Sequence, residues 1–446
     1  MIHNNEKKDK AFLLSANDTR ERVFLIGLHN KDTKKDDYLE SMEELRLLSK
    51  TAEFVHVDSF VQMLDKANPA TWIGKGKLQE IVDEAKKQNV KTLIFNDNLS
   101  PAQTRNITNI SKCRIIDRTE LILDILSQHA KTREAKIQVE VAQLEYSYSK
   151  LKNMWEHFSR IDGGMIGARG PGEKQLEKDR RLIKGRIAQL KKKLDDIRKH
   201  TEVKRKRRDD ILSISLVGYT NAGKSTLFNK LTNAQIYTAD KLFATLDATT
   251  RVVKNKNNEK ILITDTIGFI NELPPLLIQS FYSTLYEVLE ADLLLHVVDA
   301  SSARLYELIE SVDAVLKDIN AADKNILLVF NKWDLCNSLT SLFLKKQLKE
   351  KYPDSVFISA KTGLNIDTLY EKINYYLKKR KMLVNYKIPM ENVALINFLH
   401  QNGTVTEIEY NESNNEYDIA LEIDYKYIEH IERQLHDYSI QKYINS

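Results

Sequence analysis

Gly218-Tyr219-Thr220-Asn221-Ala222-Gly223-Lys224-Ser225 fits G-x-x-x-x-G-K-[ST], the spacing of a loop that cradles phosphate. The apolar run 211–217 precedes it and reads as a buried strand; Thr226-Leu227-Phe228-Asn229-Lys230-Leu231 follows and reads as a helix. That strand–loop–helix setting separates the motif from a chance match in a glycine-containing turn. The two glycines let backbone N–H groups turn inward around phosphate oxygens, and the helix N-terminus adds partial positive charge. Lys224 is expected to reach the β- and γ-phosphates and the Ser225 hydroxyl to ligate Mg2+.

Two later segments point to guanine as the base. Ile326-Leu327-Leu328-Val329-Phe330 is a short apolar strand that ends in Asn331-Lys332-Trp333-Asp334. Guanine presents N1–H and its N2 amino group as a donor pair, which one carboxylate accepts at once; adenine has no such pair. Asp334 suits that role, Asn331 can hold the other edge of the base, and the stem of Lys332 can lie over the ring. N-K-x-D alone is weak, since Asn, Lys and Asp are common in turns. Its place after a buried strand, downstream of the phosphate loop, is where a doubly wound sheet puts a second nucleotide loop. Ser355-Val356-Phe357-Ile358 then leads to Ser359-Ala360-Lys361, where the Ala360 N–H is expected to face the guanine O6.

Between these loops lies Lys260-Ile261-Leu262-Ile263-Thr264-Asp265-Thr266-Ile267-Gly268. An acidic residue at a strand end, Asp265, can hold Mg2+ through water, and the Gly268 N–H can touch the γ-phosphate and sense its loss. In Leu242-Phe243-Ala244-Thr245-Leu246-Asp247-Ala248-Thr249-Thr250 a hydroxyl could complete the Mg2+ shell. Spacing leaves Thr245, Thr249 and Thr250 open.

The 446 residues give room for two or three cores, and 42% hydrophobic with 29% charged residues is ordinary for a soluble chain. Apolar stretches such as 293–298 are strand-length, far short of the ~20 residues of a membrane helix. The polar start, Met1-Ile2-His3-Asn4-Asn5-Glu6-Lys7-Lys8, lacks a signal-peptide core. Cys113 and Cys336 are the only cysteines, too few for a disulfide framework. A cytoplasmic protein without stable membrane insertion is expected. Net charge is only +5, but residues 180–208 carry 14 Lys and Arg against three Asp and Glu. Such a stripe attracts a phosphate backbone in a salt-dependent way. It also attracts anionic lipid, so peripheral membrane contact is a second expectation of the same charge, although no anchor is visible.

Five segments follow from the patterning: a disordered N-terminus (1–20), an N-terminal α/β domain (21–128), a helical hairpin with basic linker (129–208), a nucleotide domain (209–380) and a C-terminal α+β domain (381–446). In the first domain, short apolar strands alternate with amphipathic helices, implying a parallel sheet. In the hairpin, Ile137, Val141, Leu144, Tyr148, Leu151, Trp155 and Phe158 recur at steps of four and three. Leu176, Ile183, Ile187, Leu190, Leu194 and Ile197 continue the pattern. A glycine-rich tip at 162–172 separates the two helices. Asp367 is expected to cap the last helix of the nucleotide domain. Period-two alternation over 405–410 and 417–423 reads as a β-hairpin. The fold class is therefore α/β multidomain, with a central P-loop domain on a doubly wound sheet.

The combination resembles the HflX family of ribosome-associated GTPases over roughly residues 20–380. The residues that carry the resemblance are Trp72-Ile73-Gly74-Lys75-Gly76-Lys77, Asp117-Arg118-Thr119-Glu120-Leu121-Ile122-Leu123-Asp124, Thr132-Arg133-Glu134-Ala135-Lys136, Arg169-Gly170-Pro171-Gly172-Glu173, Phe243-Ala244-Thr245-Leu246-Asp247 and Asp265-Thr266-Ile267-Gly268-Phe269-Ile270. The resemblance implies Thr245 as the switch threonine that joins Ser225 on Mg2+. It implies a GTP-state protein that binds the large (50S) ribosomal subunit, with the hairpin tip reaching ribosomal RNA near the peptidyl transferase centre, and that splits or rescues ribosomes or acts in protein synthesis or ribosome biogenesis. A monomer is expected. His129, Lys174, Lys178 and Ala248 depart from the family pattern.

Many GTPases place a glutamine after the glycine of D-x-x-G to orient the attacking water; here Phe269 stands there and can neither donate nor accept. Intrinsic turnover is expected to be slow, with the catalytic group supplied by the ribosome or by a monovalent cation such as K+. Asn221 sits where related potassium-stimulated GTPases carry a potassium-ligating asparagine. A competing reading is a GTP-gated RNA-binding factor whose hydrolysis is incidental.

Overall fold

The computed structural model describes residues 20–30, 35–161, 171–205, 211–234, 242–243, 248–254, 260–269, 287–336, 338–379, 381–424, 428, 431–432, 435 and 442–443. The chain divides into two compact units. One comprises 1–253 and 261–355; the other comprises 254–260 and 356–446.

The first unit opens with β1 (Arg22–His29), α1 (Lys35–Thr51), β2 (Val55–Met63), α2 (Lys75–Lys87), β3 (Thr92–Phe95), α3 (Pro101–Ser111), β4 (Arg114–Ile116) and α4 (Arg118–His129). The strands form a parallel sheet in the order β2-β1-β3-β4. Side chains alternate across a strand, and the sequence uses both faces. Val23 and Leu25 join one apolar cluster with Leu45, Leu48, Ile122 and Leu126. Phe24 and Ile26 join another with Trp72, Leu78, Ile81 and Ile107. Helix entry is specified locally. Ser100 and Gln103 form a capping box that encloses Pro101 at the first helical position, and the Asp117 carboxylate accepts the Glu120 N–H at 2.9 Å to cap α4.

Helices α5 (Arg133–Ile161) and α6 (Pro171–Arg205) run antiparallel. Ile137, Val141, Leu190 and Leu194 form their seam, flanked by Glu140–Arg186 and Glu145–Lys191 ion pairs, each at 2.8 Å. The tip expected at 162–172 lies outside the described residues up to 170, as does the linker at 206–210.

The second sheet of this unit comes from β5 (Leu212–Val217), α7 (Lys224–Thr232), β6 (Thr249–Lys254), β7 (Lys260–Asp265), β8 (Leu293–Asp299), α8 (Leu305–Asp318), β9 (Asn325–Asn331) and α9 (Ser338–Lys351). Strand order is β9-β8-β5-β7-β6, with β7, β5, β8 and β9 parallel. Six consecutive residues of β8 are buried, as a strand covered on both faces requires. The order turns back at β5, which makes the carboxyl end of β5 the position where such sheets bind ligands.

The second unit holds β10 (Val356–Phe357), α10 (Ile366–Lys379), β11 (Lys381–Pro389), α11 (Val393–Asn402), β12 (Thr404–Asn411), β13 (Glu416–Asp424) and β14 (Lys442–Tyr443). Four strands form an antiparallel sheet, β12-β13-β11-β14, around Val384, Tyr386, Leu399, Ile419 and Leu421. Helix α10 starts at Ile366, so Asp367 lies inside the first turn and not at the cap. Its charge there still complements the helix dipole. Among the described residues, no helix is long and apolar enough to cross a membrane.

Candidate functional site

The loop after β5 needs backbone that only certain residues tolerate. Gly218 and Gly223 have φ of +146° and +91°, and Asn221 has φ of +62°, left-handed values that glycine and asparagine accept. A Cβ on Gly218 would lie 2.2 Å from the Val297 carbonyl oxygen, and one on Gly223 would lie 2.3 Å from the Asn331 Nδ2. Gly218 is thus required twice over, by conformation and by the backbone against it, and Gly223 by its conformation. Asn221 is exposed, so its backbone alone accounts for an asparagine at that position.

Lys224 opens α7 and turns back over the loop. Its Nζ donates to the carbonyls of Gly218 (3.0 Å) and Tyr219 (2.8 Å). Burial pulls its pKa down to about 8, against the opposing attraction of Asp265. This is a desolvated cation in a cradle of backbone dipoles, an environment that an anionic ligand would relieve. Asp265 ends β7 fully buried. His296, buried on β8, is pushed down to about 3 by burial and by the Lys224 charge, so it is neutral and adds no charge beside the lysine. The Thr220 hydroxyl is buried and has no hydrogen-bond partner among the described residues.

The D-x-x-G segment is fastened to the phosphate loop. Thr220 N–H donates to the Phe269 carbonyl at 2.6 Å and Phe269 N–H to the Gly218 carbonyl at 3.1 Å, a parallel bridge between Tyr219 and Phe269. The Thr266 hydroxyl donates to the Leu216 carbonyl at 2.6 Å, and Ile267 is buried. A Cβ on Gly268 would stand 2.9 Å from the Lys224 Nζ, so this glycine lets the backbone approach the lysine. The Phe269 ring packs with Val217, Val288, Leu294 and Leu316.

Asn331-Lys332-Trp333-Asp334 joins the same region through Asn331, whose Nδ2 donates to the Ala222 carbonyl at 2.8 Å. Lys332, at φ +59°, pairs with Asp299 at 2.7 Å. Trp333 and Asp334 form a short 3-10 turn in which Asp334 is exposed. In the second unit, the Ser359-Ala360-Lys361 turn closes on itself. Gly363 N–H donates to the Ser359 carbonyl (2.8 Å) and Thr362 N–H to the Ser359 hydroxyl (3.1 Å). Ala360 is buried there and Lys361 is exposed.

Ala244, Thr245, Leu246 and Asp247 lie outside the described residues. Just before them, Leu242 and Phe243 are buried in the apolar cluster of α1 and α4, together with Ile267. Sequence reasoning missed that contact. It also missed Glu44 of α1, whose carboxylate accepts the Tyr219 hydroxyl at 2.8 Å. Nothing in the spacing of either segment signals the other.

The donor set fits a magnesium–nucleotide ligand. It offers a serine hydroxyl, a buried ammonium and a buried carboxylate, hard groups suited to phosphate and Mg2+. Among the described residues, no group of three or more His, Cys, Asp or Glu could hold a metal by itself. A phosphate-loop Mg2+ does not need one, because phosphate oxygens and hydroxyls supply much of its shell.

Residues 39–127 match the family described as GTP-binding GTPase N-terminal, 129–208 the GTP-binding GTPase middle region and 213–332 the 50S ribosome-binding GTPase family. The GTPase HflX of Lacrimispora saccharolytica is 41% identical over 402 residues, covering 90% of this chain and 93% of its own. The GTPase HflX of Escherichia coli is 39% identical over 386 residues, covering 86% and 89%. A solved GTP-binding protein from Sulfolobus solfataricus, in complex with GDP, is 27% identical, covering 80% of this chain and 99% of its own at a TM-score of 0.45. With whole-length relatives at this level of identity, the chain belongs to the HflX family and is a P-loop hydrolase of GTP.

Proposed function

We propose that this GTPase acts on the large ribosomal subunit. It binds the subunit in its GTP state through the basic hairpin, whose tip meets ribosomal RNA near the peptidyl transferase centre, and it splits or rescues ribosomes in the cytoplasm. The observation that carries the reading is the match of 213–332 to a 50S ribosome-binding GTPase family, beside a stretch of sequence, 180–208, with 14 basic residues.

In this reading Lys224 holds the β- and γ-phosphates, and the N–H groups of 218–225 line them. Ser225 and Thr245 hold Mg2+, with Asp265 behind it through water. Bound there, Mg2+ neutralises charge developing on the phosphates. Gly268 N–H senses the γ-phosphate, and Thr266 and Ile267 position it. Phe243, Ala244, Leu246 and Asp247 flank the switch threonine. Asn331, Lys332, Trp333 and Asp334 hold guanine.

Phe269 is buried in apolar company and cannot orient water, so the catalytic group must come from outside. GTP turnover is expected to rise by about 10²-fold or more with purified large subunits, in a salt-sensitive way, and not at all in Lys224→Ala. The buried Phe269 also favours a second reading, a GTP-gated binding factor. Unstimulated turnover with GTP-dependent cosedimentation intact would establish it.

K+ is proposed as a further activator, ligated by the Asn221 amide. Turnover in K+ is expected to exceed that in Na+ by roughly tenfold. Asn221→Gly keeps the left-handed backbone and should remove the difference; equal rates in the two salts would dismiss the cation.

The Lys224 pKa of about 8 adds a pH dependence. Phosphate beside the ammonium raises its pKa in the complex, so binding takes up a proton wherever the free protein has lost one. Nucleotide affinity should be flat below about pH 8 and fall above it, by up to about tenfold per unit. Titrations at pH 7, 8 and 9 check this.

A further inference from the structure

Tyr219 is a junction. Its carbonyl receives the Lys224 Nζ at 2.8 Å, its backbone bridges to Phe269, and its hydroxyl reaches Glu44 at 2.8 Å. Glu44 pairs with the Arg118 guanidinium at 3.0 Å, with side chains only 12% and 6% exposed. Arg118 also donates to the Asn96 side-chain Oδ1 at 2.8 Å, and the Asn96 Nδ2 donates to the Ser41 hydroxyl of α1 at 2.8 Å. A buried pair of this kind adds little net stability, but its geometry is demanding.

The residue before Arg118 faces the hairpin. The Asp117 carboxylate, 1% exposed, pairs with Lys150 at 3.0 Å and accepts the Tyr146 hydroxyl; both partners lie on α5. Tyr146 and Tyr219 pack against the same apolar cluster, which also holds Leu242, Phe243 and Ile267. Two adjacent residues at the start of one helix therefore grip the hairpin on one side and the phosphate loop on the other.

We propose that Asp117-Arg118 couples the helical hairpin to nucleotide retention, with Glu44 and Arg118 as positioning residues that act through Tyr219. A displacement of α5 moves the cap of α4, and with it the guanidinium that orients Glu44. Tyr219 then releases or tightens the carbonyl that holds Lys224. The proposal rests on the reading that this loop holds a guanine nucleotide. It adds the route by which a load on the hairpin reaches that nucleotide.

The test is stopped-flow release of mant-GDP from the full-length protein, with a thermal melt of each variant. Tyr219→Phe and Tyr146→Phe each remove one hydroxyl and keep the ring. Tyr219→Phe should change the release rate by about fivefold, and Tyr146→Phe, whose lost hydroxyl bonds Asp117, by about threefold. The double variant should differ clearly from the product of the two single effects. Arg118→Lys, which cannot serve Glu44 and Asn96 together, should behave like Tyr219→Phe. Tyr146→Phe with unchanged release, or effects that simply multiply, would overturn the coupling, whatever the melts show. Failure of the nucleotide reading looks different: the wild-type protein would then take up no more mant-GDP than Lys224→Ala.

Discussion

Lys224→Ala should abolish useful nucleotide binding, raising the Kd for GTP and GDP by about 10²–10⁴-fold, while leaving the nucleotide-free protein at least as stable as before. The two halves of this result have one cause. In the free protein the lysine is fully desolvated and its close partners are the carbonyls of Gly218 and Tyr219. A folded-state pKa of about 8 against an ordinary 10.5 corresponds to a penalty on the order of 3 kcal/mol. That penalty is fully present below pH 8, where the group is charged in both states, and it is relieved as the pH rises from 8 towards 10.5. Alanine removes it. Nucleotide phosphates would turn the same desolvated charge from a liability into the strongest contact of the site, because low dielectric magnifies a pairing as much as it penalises an unpaired ion. Melting curves with and without GDP separate the effects. The variant should lose the GDP-induced shift and show an unchanged or higher Tm without ligand. A variant that still gains stability from GDP would remove Lys224 from the phosphate site.

The turns of the candidate nucleotide loops were legible in the sequence because each depends on a few neighbouring residues. Gly218 and Gly223 are recognisable before their φ values are known, since the spacing G-x-x-x-x-G-K-[ST] marks them. The sheets were legible for a related reason. Runs such as 23–27 and 293–298 are long enough to be strands and too apolar to face water. What could not be read is what joins the segments. Tyr219 and Glu44 are 175 positions apart, and a tyrosine in a phosphate loop carries no mark of a buried carboxylate waiting in another helix. Leu242 and Phe243 read as part of a switch segment, yet they complete the apolar cluster of the N-terminal helices. Asp117 and Arg118 stood out only through family resemblance. Their physical role, one capping α4 and gripping α5 while the other orients Glu44, needs three elements in place at once. Side-chain chemistry is local and travels with the motif; burial is a property of the assembled fold, so partners made by burial stay hidden until the fold is known.

Asp334→Asn should cost GTP about 2–4 kcal/mol of binding, roughly 30- to 1,000-fold in Kd, with little change in stability. The stability half follows from position. Asp334 is exposed in the short turn after Lys332, whereas the contacts that hold the loop belong to its neighbours, Asn331 to the Ala222 carbonyl and Lys332 to Asp299. The binding half follows from hydrogen-bond parity. A carboxylate offers two acceptors to the N1–H and N2 amino donors of guanine, and the charge strengthens both bonds. An amide offers one acceptor and one donor, so its NH2 is set against the guanine amino group. Xanthine carries a carbonyl in place of that amino group and presents a donor beside an acceptor, the complement of the amide. The substitution should therefore shift preference from GTP towards xanthosine triphosphate and not merely weaken binding. That inversion cannot be produced by a loosened loop, which would lose both nucleotides together. Competition of GTP, ATP and xanthosine triphosphate against mant-GDP, in wild type and variant, reads it directly. Undiminished GTP affinity in Asp334→Asn would place base recognition elsewhere in the chain.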